Sequence, residues 1–347
     1  MARGGAHHPL VELTLARLRE FVREPEAIFW AFVFPLVLTL ALAVAFPSAA
    51  DRPVVVGLVP GTQAEATRRA LEAAPALRVV ALTPANERRA LRDGTVHIVV
   101  VANDPPTYRF DPAQGESHRA RLAVDDALKR AGGRVDPWSA AEERVAVPGS
   151  RYVDWLIPGL IGMGIMTNGL WAVAFPIVTA RLRKLLKRLM ASPMQRWEYL
   201  LAQMLGRLIF LAPEATLPLA FGGLALGMPI AGSYGAIALV VVVGALSFAA
   251  MGLLLGSRAR TIEAVSGLVN AFQLPMWLLS GVFFSSANFP DAIQPAIHAL
   301  PLTALNDALR AVILDGAGAA DVWQEMLLVS SWGAVAFAAA LKLFRWR

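Results

Sequence analysis

Six stretches of this chain are apolar over the length that a helix needs to cross a bilayer, and nothing else in the sequence narrows its fold as sharply. A spanning helix takes about 20 residues. Runs of that kind extend from Ala27 to Phe46, Tyr152 to Ala180, Tyr199 to Gly227, Tyr234 to Gly256, Ala264 to Phe284 and Val322 to Leu341. Composition agrees with this, since 56% of the 347 residues are hydrophobic and the mean hydropathy is +0.53, above the ordinary make-up of soluble domains. The expected fold class is an α-helical polytopic membrane protein with six transmembrane helices. An inserted extracytoplasmic α/β domain is expected between the first two.

Charge placement sets the expected orientation. With the N-terminus inside, the inner segments hold Arg3, Arg17, Arg19 and Arg23, then Arg181, Arg183, Lys184, Lys187, Arg188 and Arg196, then Arg258 and Arg260, and finally Lys342, Arg345 and Arg347. The short outer segments Met228 to Ser233 and Ser285 to Asp321 contain Arg310 as their sole lysine or arginine. Short loops rich in Lys and Arg stay cytoplasmic, so both termini are expected in the cytoplasm. The pI near 10 therefore reflects basic residues at a membrane face rather than a nucleic-acid partner. The chain has no cysteine, which excludes disulfides, thiolate metal sites and a cysteine nucleophile and is neutral as to compartment. Ser48-Ala49-Ala50 loosely resembles a signal-peptidase site, but the region before it is long and carries acids as well as bases. An uncleaved anchor is expected.

Residues 1–26 are expected to form a cytoplasmic or interfacial element. Val11, Leu15, Leu18 and Val22 repeat at helical spacing opposite Glu12, Arg19, Glu20 and Arg23, which suits a helix lying in the membrane interface. A cytoplasmic extension of the first span is the alternative. Residues 47–151 read as a separate domain of strands alternating with helices, hence an α/β sandwich with a partly parallel sheet. Strands are expected at Val54 to Val59, Leu77 to Leu82, Val96 to Val101 and Thr107 to Phe110. Helices are expected at Thr62 to Ala74, with Thr62 as cap and Glu65 in the capping box, at Ala85 to Arg92, stopped by Gly94, and at Glu116 to Arg130. The remainder, 152–347, is expected to hold the other five spans, with a basic cytoplasmic loop at 181–198 and a re-entrant outer segment at 286–319, too broken to span.

Catalytic motifs are missing. There is no GxxxxGK[ST] phosphate loop, no HExxH and no GxSxG, and His7, His8, His97, His118 and His298 are scattered. The informative groups are polar residues at membrane depth, which are costly unless they face protein or water. Arg207 and Glu214 lie on one helical face about 10 Å apart along the axis, too far for a simple ion pair. Arg207 is expected to snorkel to the inner surface. Glu214, flanked by Pro213 and Pro218, serves either a cationic substrate or a proton, or else bonds to a neighbouring helix. Thr167 and Asn168 in the second span, and Asn270 and Gln273 in the fifth, are open to the same pair of readings. Gly223 with Gly227, and Gly252 with Gly256, are small-xxx-small pairs expected to let helices approach closely.

Two further segments carry a resemblance. The first is the basic amphipathic stretch RLRKLLKRLMASPMQRWE, with Arg181, Arg183, Lys184, Lys187, Arg188, Ser192, Pro193 and Glu198. By charge alone it suits anionic lipid head groups. The second runs from Leu278 to Gly316, where SGVFF, a proline-punctuated stretch and PLTALNDALR follow in order. It carries Ser280, Gly281, Phe283, Phe284, Pro301, Leu302, Thr303, Asp307 and Arg310. Together these resemble permease subunits of type-2 ABC exporters, in the branch with an extracytoplasmic domain between the first and second spans. The resemblance implies that the basic loop contacts ATP-binding cassette ATPase subunits, and that Thr167, Asn168, Asn270 and Gln273 line a path between two permease halves. It implies a second permease copy or a paralogue, and leaves open a periplasmic adaptor. No cofactor is expected on this chain; ATP and magnesium are expected on the partner ATPase. The implied location is the bacterial inner membrane. Apolar spans suit a hydrophobic or amphiphilic cargo such as a drug or lipid, exported by a chain that is not itself an enzyme. A sensor or mechanotransmitter coupled to an ATPase, and a proton-coupled secondary transporter acting through Glu214, are the rival readings.

Overall fold

Each apolar run forms helix over most of its described residues. A computed structural model describes residues 29–45, 53–112, 115–135, 149, 151–184 and 196–343, with the side chains of 30, 31 and 196–209 outside that description. The chain divides into two compact units, Ser48–Val145 and the remainder. The expected interfacial helix of 1–26, and most of the basic loop, lie outside the described residues.

In the larger unit, a π-helical turn at Phe29–Val33 precedes α1 (Phe34–Ala45). The long helices are α5 (Tyr152–Leu182), α6 (Arg196–Ala225), α7 (Tyr234–Arg258), α8 (Ile262–Leu279) and α11 (Trp323–Leu343). Among the described residues, four helices are long and apolar enough to cross a membrane, namely α5, α7, α8 and α11, and Phe34–Ala45 and Phe210–Ala225 are shorter apolar stretches. Burial separates them by position. The apolar windows of α5 and α7 are 61% and 67% buried, against 22% for both α8 and α11, so α5 and α7 form the core and the other two are peripheral. Glycine lets the core pair meet backbone to backbone. A Cβ on Gly252 would fall 2.8 Å from the carbonyl oxygens of Gly169 and Leu170, so the close approach expected of Gly252 and Gly256 is realised against α5.

Several boundaries differ from expectation, each for a local reason. The third run ends at Ala225 rather than Gly227, because Gly227 adopts φ +62 and terminates the helix. Gly227 is thus a stop and not half of a packing pair. The fifth run starts earlier, at Ile262, where the Thr261 hydroxyl accepts from the Ala264 N–H at 3.1 Å. It stops at Leu279 before Gly281 turns the chain at φ +68. Helix α5 takes in Arg181 and Leu182 and α6 begins at Arg196, so both ends of the expected loop 181–198 are helical. The segment 286–319, expected to be re-entrant, contains two 3-10 turns, Ser286–Asn288 and Asp291–Ile293, then α9 (Gln294–His298) and α10 (Pro301–Ile313). Helix α10 is buried nearly all round, packing against α5, α7 and α11; it is part of the core rather than a helix at an interface.

The smaller unit holds β1 (Val54–Val59), α2 (Ala64–Glu72), β2 (Leu77–Ala81), α3 (Glu87–Arg92), β3 (Ile98–Val101), β4 (Thr107–Arg109) and α4 (Gly115–Ala131). The sheet order is β2-β1-β3-β4. β1 pairs in parallel with β2 and β3, and β4 closes the other edge antiparallel to β3. Val54, Val56, Leu58, Leu77, Ile98 and Val100 fill one face with Leu71, Ala120 and Val124, and a second cluster with Ala90 fills the other. Thr62 is not the cap of α2. Gln63 takes that place without a side-chain cap bond, because its N–H reaches the Ala102 carbonyl and its amide donates to Asp104 at 3.0 Å.

Candidate functional site

Helix α5 gathers most of the polar residues singled out in the sequence. Asn168 donates through Nδ2 to Glu214 Oε1 of α6 at 2.6 Å, and Glu214 is 4% exposed. One turn earlier, Gly164 leaves the space for that carboxylate: a Cβ there would lie 3.1 Å from Glu214 Oε1. Three residues after Asn168, and hence on the same helical face, Trp171 donates through Nε1 to Gln273 Oε1 of α8 at 3.1 Å. Gln273 in turn donates to Asn270 Oδ1 at 3.2 Å. Gln273 is buried and Asn270 exposed. Neighbouring Thr167 keeps a buried hydroxyl without a hydrogen-bond partner. Glu214 is therefore bonded to a neighbouring helix, one of the two readings open in the sequence, and the candidates form two short chains radiating from α5.

A second cluster assembles the residues from Ser280 to Arg310. Pro301 opens α10 in its first turn, where its missing N–H costs nothing. Asn306 donates to the Ser280 carbonyl at 2.9 Å. The Arg310 guanidinium donates to the Gly281 carbonyl and, at 3.4 Å, to that of Trp155. It also lies 3.5 Å from the Trp155 ring centroid, and its Nη1 is 3.7 Å from Asp307 Oδ1. Ser280, Asn306 and Arg310 are buried, whereas the Asp307 side chain is 43% exposed. Helix α5 again makes the room. A Cβ on Gly162 would overlap the side-chain oxygen of Asn306, and one on Gly159 would sit 2.7 Å from the Val282 carbonyl oxygen. The cluster is a latch tying the end of α8 and the face of α10 to the start of α5.

The basic segment is only partly within the described residues. Arg183 and Lys184 are exposed, and Lys184, two residues beyond the end of α5, has φ +56. Lys187, Arg188, Ser192 and Pro193 lie outside the described residues, and Glu198 lies in α6 with its side chain outside them. Arg181 differs from the loop residue expected. It donates to the carbonyls of Gly256 at 3.2 Å, of Ser257 at 2.8 Å and of Ala259. These are the last carbonyls of α7, where a helix presents unpaired acceptors and partial negative charge. Arg151 does the same at the other end of α5. It donates to the carbonyls of Leu226 at 3.0 Å and Gly227 at 2.8 Å beyond α6, and forks onto Asp154 at 2.7 and 3.0 Å.

The family-level comparison turns on the same residues. Residues 25–342 match the model for ABC-2 family transporter proteins, a range that takes in both polar clusters and the basic segment. The chain belongs to the ABC-2 transporter family. Among similar proteins, YbhR of Escherichia coli K12, named as a probable multidrug ABC transporter permease, is 29% identical over 57% of this chain and 54% of its own length. YhhJ of the same organism, named as an inner membrane transport permease, is 27% identical over 46% of this chain and 43% of its own. YadH, also an inner membrane transport permease by name, is 28% identical over 47% and 63%. The chain thus spans about half the length of YbhR and YhhJ.

Sequence reasoning missed Trp155, Trp171, Asn306, Arg151 and the glycines of α5. Asn306 stands beside Asp307 within the quoted motif, and Gly159, Gly162 and Gly164 are a visible cluster of small residues. Trp155 and Trp171 carry no local signal, because their partners lie 155 and 102 residues away.

Proposed function

We propose that this chain is the membrane-spanning permease subunit of an ATP-binding cassette exporter in a bacterial inner membrane. It crosses the membrane six times with both termini inside, and moves a hydrophobic or amphiphilic compound outward. The observation that carries this reading is the ABC-2 match over residues 25–342, in a sequence without a phosphate loop of its own. ATP and magnesium then belong to separate ATPase subunits. These engage the basic segment, where Arg183, Lys184, Lys187, Arg188, Ser192, Pro193 and Glu198 form the contact surface and Arg181 anchors it. A second permease copy completes the path. Thr167, Asn168, Glu214, Asn270 and Gln273 line its polar side, and the unit at 48–145 stands on the outer face. The names of YbhR, YhhJ and YadH support a transport role, and the multidrug wording of the first supports an amphiphilic cargo.

Reconstitution with the ATPase that co-purifies tests this. A fluorescent amphiphilic dye and a labelled phospholipid are followed across vesicles with and without ATP, and with and without a proton gradient. ATP-dependent movement is expected. Movement driven by the gradient alone assigns the chain to secondary transport, and ATP turnover without movement of either probe assigns it to signalling.

A further inference from the structure

Among the described residues, the sheet of the smaller unit ends in two edges of unequal character, β2 and β4. β4 is three residues long and sits between Pro105-Pro106 and Pro112, residues that cannot donate to a ladder. β2 is five residues long, contains no proline, and is apolar except for Arg78. Arg78, Val80 and Ala81 are exposed and Val79 is half-buried. Edges are ordinarily blunted by lysines, prolines or bulges, so among the described residues β2 lacks the guard that β4 has.

Observed hydrogen bonds fix which backbone groups β2 offers. The Val54 N–H donates to the Ala76 carbonyl at 2.8 Å, and the Leu82 N–H donates to the Leu58 carbonyl at 2.8 Å. The even-numbered residues of this stretch therefore turn toward β1. Strand alternation then turns the N–H and C=O of Leu77, Val79 and Ala81 outward. Leu77 and Val79 also point their side chains into the face covered by α2 and α4.

We propose that the β2 edge pairs with the β2 edge of a second copy of this chain, antiparallel about a twofold axis through Val79, giving one continuous sheet. The inference rests on the two-copy reading under Proposed function. The register follows from three constraints. A one-residue slip turns every side chain to the other face, so only an axis through a residue keeps the helix-covered faces of both sheets on the same side. An axis through Arg78 would set two guanidinium groups directly opposite, which is unfavourable. An axis through Val79 brings all three outward-facing residues into hydrogen-bonded pairs, Val79 with Val79 and Leu77 with Ala81 in both directions, whereas an axis through Val80 leaves Leu77 facing beyond the strand. In the Val79 register each Arg78 lies opposite Val80 of the other copy, and its aliphatic stem covers that exposed valine.

The absence of native cysteine makes the test clean. Two differently tagged full-length chains, one with Arg78→Cys and one with Val80→Cys, are co-expressed, and the membranes are oxidised. Residues 78 and 80 would form a non-hydrogen-bonded pair with Cα atoms about 4.5 Å apart, within reach of a disulfide. The mixed pair should cross-link at least about fivefold more than either variant alone, and more than Thr107→Cys on the β4 edge. Adding Val79→Pro should abolish the link while a cooperative unfolding transition persists, since that N–H points away from β1. Equal linkage by Val80→Cys alone would overturn the register. A chain dimeric by native mass whose mixed pair links no better than Thr107→Cys would overturn the edge pairing and leave the permease dimer standing. A chain monomeric by native mass would remove both.

Discussion

Replacing Arg310 measures what the latch contributes. In the folded chain Arg310 is 6% exposed. It bonds to the Gly281 and Trp155 carbonyls and stacks on the Trp155 ring. A hydrogen bond from a charged donor contributes about 1.5–3 kcal/mol net, and a desolvated cation–π contact about 2 kcal/mol. Against this stands the cost of burying the cation, which the variant recovers. Arg310→Ala also leaves a cavity and an unsatisfied Gly281 carbonyl, so a net loss of about 4 kcal/mol is expected, within the range for breaking a buried polar network. Arg310→Lys keeps the charge but loses the planar fork and the stacking, and should lose about 2 kcal/mol. Asp307→Asn should lose under about 1 kcal/mol, because that carboxylate is 43% exposed and 3.7 Å away, the weak regime for ion pairs. Tryptophan fluorescence during thermal unfolding in detergent reads the series. With about 2–4 °C per kcal/mol for a unit of this size, Arg310→Ala should unfold roughly 8–16 °C lower. An unfolding temperature within about 3 °C of the parent, or an Asp307→Asn loss as large as that of Arg310→Ala, would show that carbonyl bonding and stacking do not hold α10 in place.

Gly162→Ala should destabilise by about 1–3 kcal/mol through overpacking, because its Cβ overlaps the Asn306 side-chain oxygen; combined with Asn306→Ala, which by itself loses the bond to Ser280, the two losses should sum to less than their separate values in the same unfolding assay. Glu214→Gln keeps the shape and the Asn168 contact, so unfolding should shift by less than about 1 kcal/mol; an equally stable variant that moves no dye would place the carboxylate in transport rather than packing. Arg181→Gln loses the fork onto three carbonyls of α7 and its turn; dye moved per ATP should fall several-fold while hydrolysis persists, and unchanged stoichiometry would refute Arg181 as the anchor of the basic segment. In the smaller unit, burial and then the Asp125 carboxylate raise the Tyr108 phenol to about 12. Its folded value lies above the unfolded one near 10, so its contribution is complete below that value and is lost as pH rises toward 12. Absorbance at alkaline pH should show late tyrosine ionisation that is reduced by one residue's amplitude in Tyr108→Phe.

Periodicity and length located the helices of the bundle and the strands of the sheet, because both are set by residues close in sequence. β1 begins and ends where its apolar run and Pro60-Gly61 place it, and α8 ends within a few residues of its expected stop. Errors arose where a distant partner decided the outcome. Thr62 has the chemistry of a cap, yet Gln63 takes the place because Ala102 and Asp104, some 40 residues on, hold it there. Gly223 and Gly227 have the spacing of a packing pair, but the left-handed φ of Gly227 ends the helix before a second face can form. Helix α10 has too few consecutive apolar residues to read as core, and is core because Gly159 and Gly162 of α5 admit its polar side chains and Ser280-Gly281 bonds them. The motif residues from Ser280 to Arg310 were legible as a pattern; their common purpose, fastening three helices, depends on Trp155, which the pattern does not contain.

The two ends of α5 show why this helix governs the bundle. A helix that stops near a bilayer surface leaves carbonyls unpaired and a partial negative charge exposed. α6 and α7 stop near opposite ends of α5, and each stop is completed by an arginine from the nearer end, Arg151 for α6 and Arg181 for α7. Between them, Gly159, Gly162, Gly164 and Gly169 seat Arg310, Asn306, Glu214 and Phe248 in turn. A helix held this way at its ends and along its length moves its neighbours when it moves. Arg181 therefore ties its end of α5 to the α7–α8 turn through three carbonyls, and the same helix carries the Asn168–Glu214 and Trp171–Gln273 pairs.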